Sequence, residues 1–260
     1  MTTGGPAGST LEASLDGPFW TSYRVRFDEA GPDGWLRASG LLRYAQDVAW
    51  QHSEALGFDR AWYADRGLAW VVRAVDLTRL ATIPMGAIVT TSTTVAGYRK
   101  VWARRRADIR LPDDTTAATV DTDWVLIDGR GRLTRLPSIF AEVFPAPLAT
   151  FDIGRVTLPA TPPEALRSTL IVRPHEIDPL GHVNNGVYLD WLDEAAALLP
   201  PSGRLSEGSP GAQRYRLEYA ASAESGDRLE SAIWAAGGGV AYRLTRAIDG
   251  QDLVRGMMEP

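Results

Sequence analysis

Asp178 and His182 stand four residues apart in the stretch DPLGHVNN, directly ahead of a run with helical spacing. A carboxylate placed there can draw a proton from water or attack an electrophilic carbon itself, and an imidazole four residues on can share the proton work. The N-terminus of a helix offers backbone N–H groups to an oxygen that is gaining negative charge, and Gly181 lets the backbone approach such a group closely. The same residues also have plain structural uses. Asp before Pro initiates turns, and Asn184 and Asn185 are both good helix N-caps. His52 falls on the apolar stripe of an earlier helix and reads as a core residue, and Tyr188 reads as packing.

Composition narrows the chemistry. The 260 residues contain no cysteine, which excludes disulfides, thiolate metal sites and a cysteine nucleophile. His52, His175 and His182 are the only histidines, too few for a zinc site built mainly from imidazole, so no metal and no cofactor is expected. A formal net charge of −5 argues against bulk nucleic-acid binding. Lys100 is the only lysine among 27 cationic residues, and it sits in a local cluster with Arg99, Arg104, Arg105 and Arg106. That cluster is either a solvated strand face or a site for phosphate or an acidic partner. Apolar runs such as 68–72 fall far short of the roughly 20 residues of a membrane span, so no membrane helix is expected. The small-residue start lacks a cationic region and an apolar core, reads as a disordered lead over 1–18, and leaves the cytoplasm as the expected location.

The elements that must position the Asp–His turn come in two copies. An extended RVRF is followed by a Gly/Pro/Asp stretch and then a helix in which Leu41, Ala45, Val48, His52 and Ala55 share one stripe, with Ser39 near its start and Gly57 as its C-cap. An extended LIVRP, the turn and a helix carrying Val187, Tyr188, Trp191, Leu192 and Ala195 repeat that order, and Pro200-Pro201 stops the second helix. The helices align at an offset of 146, which sets Leu36 on His182 and Pro32 on Asp178; the first copy therefore lacks the chemistry, and one site per chain is expected. The β-rich runs behind them align at 140, with Gly237 on Gly97 and Arg246 on Arg106. A helix followed by long strands must bury itself against a sheet. The expectation is an α+β tandem (double) hotdog, two antiparallel sheets each wrapped around a central helix, with hotdogs at 19–146 and 169–260 and a proline-rich linker at 147–168.

The residues then become specific. Trp70-Val71-Val72-Arg73, Trp124-Val125-Leu126-Ile127, Arg132-Leu133-Thr134-Arg135-Leu136-Pro137, the Asp178-to-Tyr188 stretch DPLGHVNNGVY and Leu217-Glu218-Tyr219 occur in the order found in the acyl-ACP thioesterases of plants and bacteria, and the chain resembles that family from about Phe19 to its end. Two positions depart from it: Leu180 stands where many members have Asn, and Ser222, beside Ala223, stands where the family has Glu. Glu224 would take that place if its strand carried a bulge. The resemblance implies release of a free fatty or related acid from acyl-ACP, with Asp178 and His182 catalytic and Gly181, Asn184 and Asn185 supporting the oxyanion and the turn. The first copy would hold the acyl chain, with Trp50, Trp62, Trp70, Leu41 and Leu42 as lining or core. The partner implied is an acyl carrier protein, docked by Arg99, Lys100, Arg104 and Arg106, or else acyl-CoA. Monomer and homodimer both remain open. A hotdog hydratase or dehydratase spaces its acid and histidine as D-x-N-P-x-H, unlike this chain, and an acyl-binding hotdog without turnover is the non-enzymatic alternative.

Overall fold

The computed structural model describes residues 17–144, 151–200 and 212–260; most of the lead expected at 1–18 and the part of the linker at 147–150 lie outside them. In the first half, β1 (Phe19–Arg24) precedes the long helix α1 (Ala38–Ala55), the short α2 (Arg60–Asp65), and β2 (Leu68–Arg79), β3 (Ile88–Arg99), β4 (Trp102–Arg110) and β5 (Thr116–Asp128), with a last short helix α3 (Ile139–Val143). The second half repeats β6 (Leu166–Ile171), α4 (Asn185–Ala197), β7 (Gln213–Tyr219), β8 (Arg228–Ala236), β9 (Gly239–Arg246) and β10 (Asp252–Glu259). β6 starts inside the stretch read as linker.

Strand order is β1-β3-β4-β5-β2 in the first half and β6-β8-β9-β10-β7 in the second, the same order twice, as the double hotdog requires. The halves do not form separate sheets. β2 and β7 pair antiparallel from Ala74 opposite Glu218 to Arg79 opposite Gln213, so the ten strands make one continuous sheet. The inward residues of both halves, among them Leu77, Ile109, Leu217, Tyr242 and Leu244, form one core with Leu41 and Leu42 of α1 and Leu189 and Leu192 of α4. Helix α1 starts at Arg37 without a side-chain cap, so Ser39 is an inner first-turn residue accepting a bond from Arg43 rather than a cap. Gly57, at φ +84°, ends the helix in the left-handed conformation expected of it.

Backbone hydrogen bonds fix the repeat offset one residue away from the value of 146. Arg37 N–H donates to Glu29 C=O and Asn184 N–H to Glu176 C=O; Ala30 bridges Leu36 as Ile177 bridges Val183. Every pair is 147 apart, which places Gly31 on Asp178 and Trp35 on His182, not Pro32 and Leu36. The first copy still has no acid and no histidine at these places. After the helices the offset is 140: Leu36 N–H meets Ile83 C=O as Val183 N–H meets Ala223 C=O. It fails past the first hairpin, because β3 bulges at Ala96, between the Val95–Arg105 and Gly97–Arg104 pairs, so Gly97 lies inside the strand, whereas Gly237 sits in the turn between β8 and β9. Arg246 therefore does not correspond to Arg106. Two pairs lie on the axis relating the halves: Arg43 donates to Asp190, 147 residues on, at 2.8 Å, and Asp76 lies opposite Arg216, 140 residues on, in the β2–β7 register.

Behind α3, the chain crosses the convex face of the sheet. Gly154 N–H donates to Asp123 at 2.7 Å and Val156 N–H to Glu218 at 3.1 Å, two nearly buried carboxylates on β5 and β7. Phe151 packs on Trp102 and under the Arg104 guanidinium.

Candidate active site

The turn from Glu176 to Asn184 is a tight hairpin that delivers the chain into α4. Asp178 N–H donates to His182 C=O at 2.8 Å, and Gly181 N–H to Asp178 C=O at 3.0 Å, which needs Gly181 at φ +84°. One Asp178 carboxylate oxygen accepts Leu180 N–H at 2.8 Å, an Asx turn, and leaves the other oxygen without a donor among the described residues. The turn-initiating and catalytic uses of this carboxylate are thus compatible, one oxygen for each. Asp178 and His182 are both half-buried, and no side-chain bond joins them among the described residues. Asn184 is the N-cap, its side chain accepting Gly186 N–H at 3.0 Å, and Asn185 is the first helical residue.

Tyr188 has more than a packing role. Its hydroxyl accepts Ala223 N–H at 3.2 Å, while Ala223 C=O accepts Val183 N–H at 3.0 Å, so this tyrosine ties the loop after β7 to the turn. Burial raises its phenol, and the charges of Asp178 and Asp227 raise it further, so it stays a neutral donor beside the carboxylate. The spacing HVNNGVY held this signal, since a residue at the end of the first helical turn points back toward the helix start. Tyr219 O–H donates to Asn185 C=O at 3.1 Å. Glu224 lies in the loop after β7 rather than on a bulged strand; it is exposed, and its backbone N–H is taken by Asp227. Leu180 is 53% exposed, on the outside of the turn.

The arginine cluster divides between the two faces of β4. Arg104 grips Asp123 with two bonds of 2.6 and 2.7 Å, and Arg106 reaches Asp108 and Asp121 on the same convex face. Arg105 points inward, donating to His52 Nδ1 at 3.0 Å and to Ser53 at 3.1 Å. Arg99 and Lys100 occupy the β3–β4 tip, where Arg99 approaches the exposed Asp152 at 3.8 Å. Trp62 and Trp70 join Phe58, Tyr63 and Phe140 in an aromatic cluster under α2 and α3; Leu41 and Leu42 belong to the main core, and Trp50 is a surface residue bonded to Glu54. A cavity of about 330 Å³ lined by Arg155, Glu218, Arg243 and Arg255 opens on the convex face under the linker, on the side of the sheet away from both helices.

His52 is the core residue expected, with a pH consequence. Arg105 can only donate, so Nδ1 accepts and the ring is neutral. Burial, then the Arg105 charge, pushes His52 down to about 4 from an ordinary 6.5. Between those values the unfolded chain binds a proton that the folded chain refuses. The stability tied to this residue is therefore complete above pH 6.5 and lost as pH falls toward 4, about 3 kcal/mol in all. Denaturant unfolding at neutral pH and near pH 4 is expected to show wild type losing about 3 kcal/mol more than His52→Gln across that interval; equal losses would refute the assignment.

Two copies of one helix-and-sheet unit, joined edge to edge in one sheet, define a double hotdog. Residues 17–144 match the acyl-ACP thioesterase N-terminal domain, and residues 160–253 match the acyl-ACP thioesterase C-terminal domain. The chain belongs to the acyl-ACP thioesterase family and is a thioester hydrolase. Three solved structures share its fold. A Lactobacillus plantarum protein provisionally assigned as an oleoyl thioesterase is 18% identical with a TM-score of 0.79, over 95% of this chain and 97% of that one. The 12:0-ACP thioesterase from Umbellularia californica is 21% identical with a TM-score of 0.76, over 95% and 97%. An acyl-ACP thioesterase from Bacteroides thetaiotaomicron is 17% identical with a TM-score of 0.74, over 92% and 96%. No curated protein sequence matches the chain significantly. Among the described residues no helix is long and apolar enough to cross a membrane.

Proposed function

We propose that this chain cleaves fatty acyl thioesters of acyl carrier protein by water attack at the Asp178 turn. The observation that carries the reading is the half-used carboxylate just ahead of α4: one oxygen held by the turn, the other without a donor among the described residues, with His182 in the same turn. The second carboxylate oxygen takes a proton from water as the water oxygen bonds to the thioester carbon, and the carbonyl electron pair moves onto its oxygen. Collapse of that tetrahedral species breaks the C–S bond, and the departing sulfur takes up the proton held by Asp178, relayed through His182, which restores the carboxylate and the imidazole. The acid and the free carrier thiol are the products. The matching turn of the first half, with Gly31 and Trp35, does no such chemistry and leaves that half to the acyl chain, with the aromatic cluster around Phe58, Tyr63 and Phe140 as apolar lining. Arg104 and Arg106 are held by aspartates on the sheet, whereas Arg99 meets only the exposed Asp152, so Arg99 and Lys100 at the hairpin tip are the cations best placed for an acidic carrier.

The test is thiol release from a panel of acyl-ACP and acyl-CoA substrates of graded chain length. Turnover on acyl-ACP above that on acyl-CoA is the expected outcome. Hydration of enoyl thioesters without cleavage, or tight binding without thiol release, would overturn it.

A further inference from the structure

Each long helix lends a side chain to the start of the other. At the start of α1, capped by Arg37, that side chain is the buried Asp193 of α4, which lies close to Tyr215 and feels the charges of Arg79 and Arg37. Moving along α4 from Asp190 to Asp193 thus leads from Arg43 back toward Arg37, so the two helices run in opposite directions past one another. The internal repeat carries this arrangement over to the catalytic end. The 147 offset replaces Asp193 by Gln46 and Arg37 by Asn184; the 140 offset replaces Tyr215 by Val75 and Arg79 by Tyr219. Tyr219 is indeed found there, on Asn185 C=O. Arg43, one turn before Gln46, lies against Gly186, where an added Cβ would sit 3.0 Å from its Nε.

Val75 offers Gln46 no hydrogen bond, and Gln46 Nε2 is buried without a partner among the described residues. An unpaired buried amide costs free energy and calls for an occupant. Meanwhile the turn has spent most of its backbone donors internally: Leu180 and Gly181 on Asp178, Val183 on Ala223, Asn184 on Glu176, Gly186 and Val187 on Asn184, which leaves the His182 and Asn185 N–H groups among the described residues. An oxyanion forming beside Asp178 takes more than one donor, and a side chain from the facing helix can add to those two backbone groups. We propose that Gln46 is a catalytic residue that donates from Nε2 to the carbonyl oxygen of the bound acyl thioester, so that the active site is assembled from both halves. This rests on the reading of the Asp178 turn as the hydrolytic site.

The experiment compares wild type, Gln46→Met, Gln46→Glu and Asp178→Asn in steady-state acyl-ACP hydrolysis, with thermal unfolding of each. Gln46→Met is expected to lower kcat about 100-fold with little change in KM, the loss typical of one oxyanion donor, and to melt no lower than wild type, since it removes an unsatisfied amide. Gln46→Glu, which replaces the donor by an acceptor, should lose at least as much kcat. A Gln46→Met enzyme with wild-type kcat overturns the proposal alone, provided that Asp178→Asn is inactive. A fall in melting temperature with unchanged kcat assigns Gln46 a packing role and also overturns it. An inactive wild type, or an active Asp178→Asn, overturns the underlying reading of the turn instead.

Discussion

Asp178→Asn is expected to lower kcat for acyl-ACP hydrolysis by about 100- to 10,000-fold, the usual worth of a positioned general base, while leaving thermal stability unchanged. The amide oxygen of Asn still accepts Leu180 N–H, so the Asx turn, Gly181 at φ +84° and the bond from Val183 to Ala223 all persist. Only the basic oxygen is lost. Asp178→Ala removes the turn acceptor as well and should cost both activity and stability. Comparing the two by stopped-time thiol release and thermal melting separates the charge from the turn. An Asn variant that keeps most of its activity would place the chemistry elsewhere in the chain.

The largest stability effect is expected on the opposite face of the sheet. Asp123 has a side chain only 3% exposed and accepts three bonds, two from Arg104 and one from Gly154 N–H. Removing one partner of a buried pair typically costs about 3–5 kcal/mol, because the other charge stays behind unpaired. Arg104 is 20% exposed and stacked on Phe151, so some of its charge reaches solvent and the lower end applies, about 3 kcal/mol for Asp123→Ala. The crossing segment loses a tether at the same time. Urea unfolding should show the stability loss, and limited proteolysis should show faster cutting near residues 151–155. A change below about 1 kcal/mol would mean that Arg104 finds full compensation in Asp121 or water.

The sequence made the doubling legible because helical and strand periods recur in the same order, and the Asp–His turn was legible because acid, glycine, histidine and asparagines lie within eight residues. The offset was misread by one because an apolar stripe on a helix tolerates a slip of a residue when both stripes are rich in Leu and Ala; turn hydrogen bonds do not. The joining of the two sheets was hidden for a different reason. β2 meets β7 across the whole chain, and no local pattern announces which edge strand will be covered. Arg105 was grouped with Arg104 and Arg106 by proximity, although alternation along β4 turns it to the other face, where His52 and Ser53 receive it. The carboxylate of Asp123 gave no sequence signal, since its partners are an arginine on the neighbouring strand and a backbone group of a proline-rich segment.

The pairs on the internal axis have a consequence for how the molecule recognises itself. In a dimer of identical subunits a side chain on the twofold meets its own copy, so an arginine there faces an arginine and an aspartate faces an aspartate. Covalent fusion removes that constraint. Arg43 bonds Asp190, and Asp76 lies opposite Arg216 while bonding Arg214 of the same strand, an arrangement that two copies of either half could not reproduce. Two first halves would bring Arg43 against Arg43 and Asp76 against Asp76; two second halves would repeat the conflict with the signs reversed. The chain thus encodes a preference for its own other half over a second molecule, which guards the seam between β2 and β7 against exchange of halves while the protein folds.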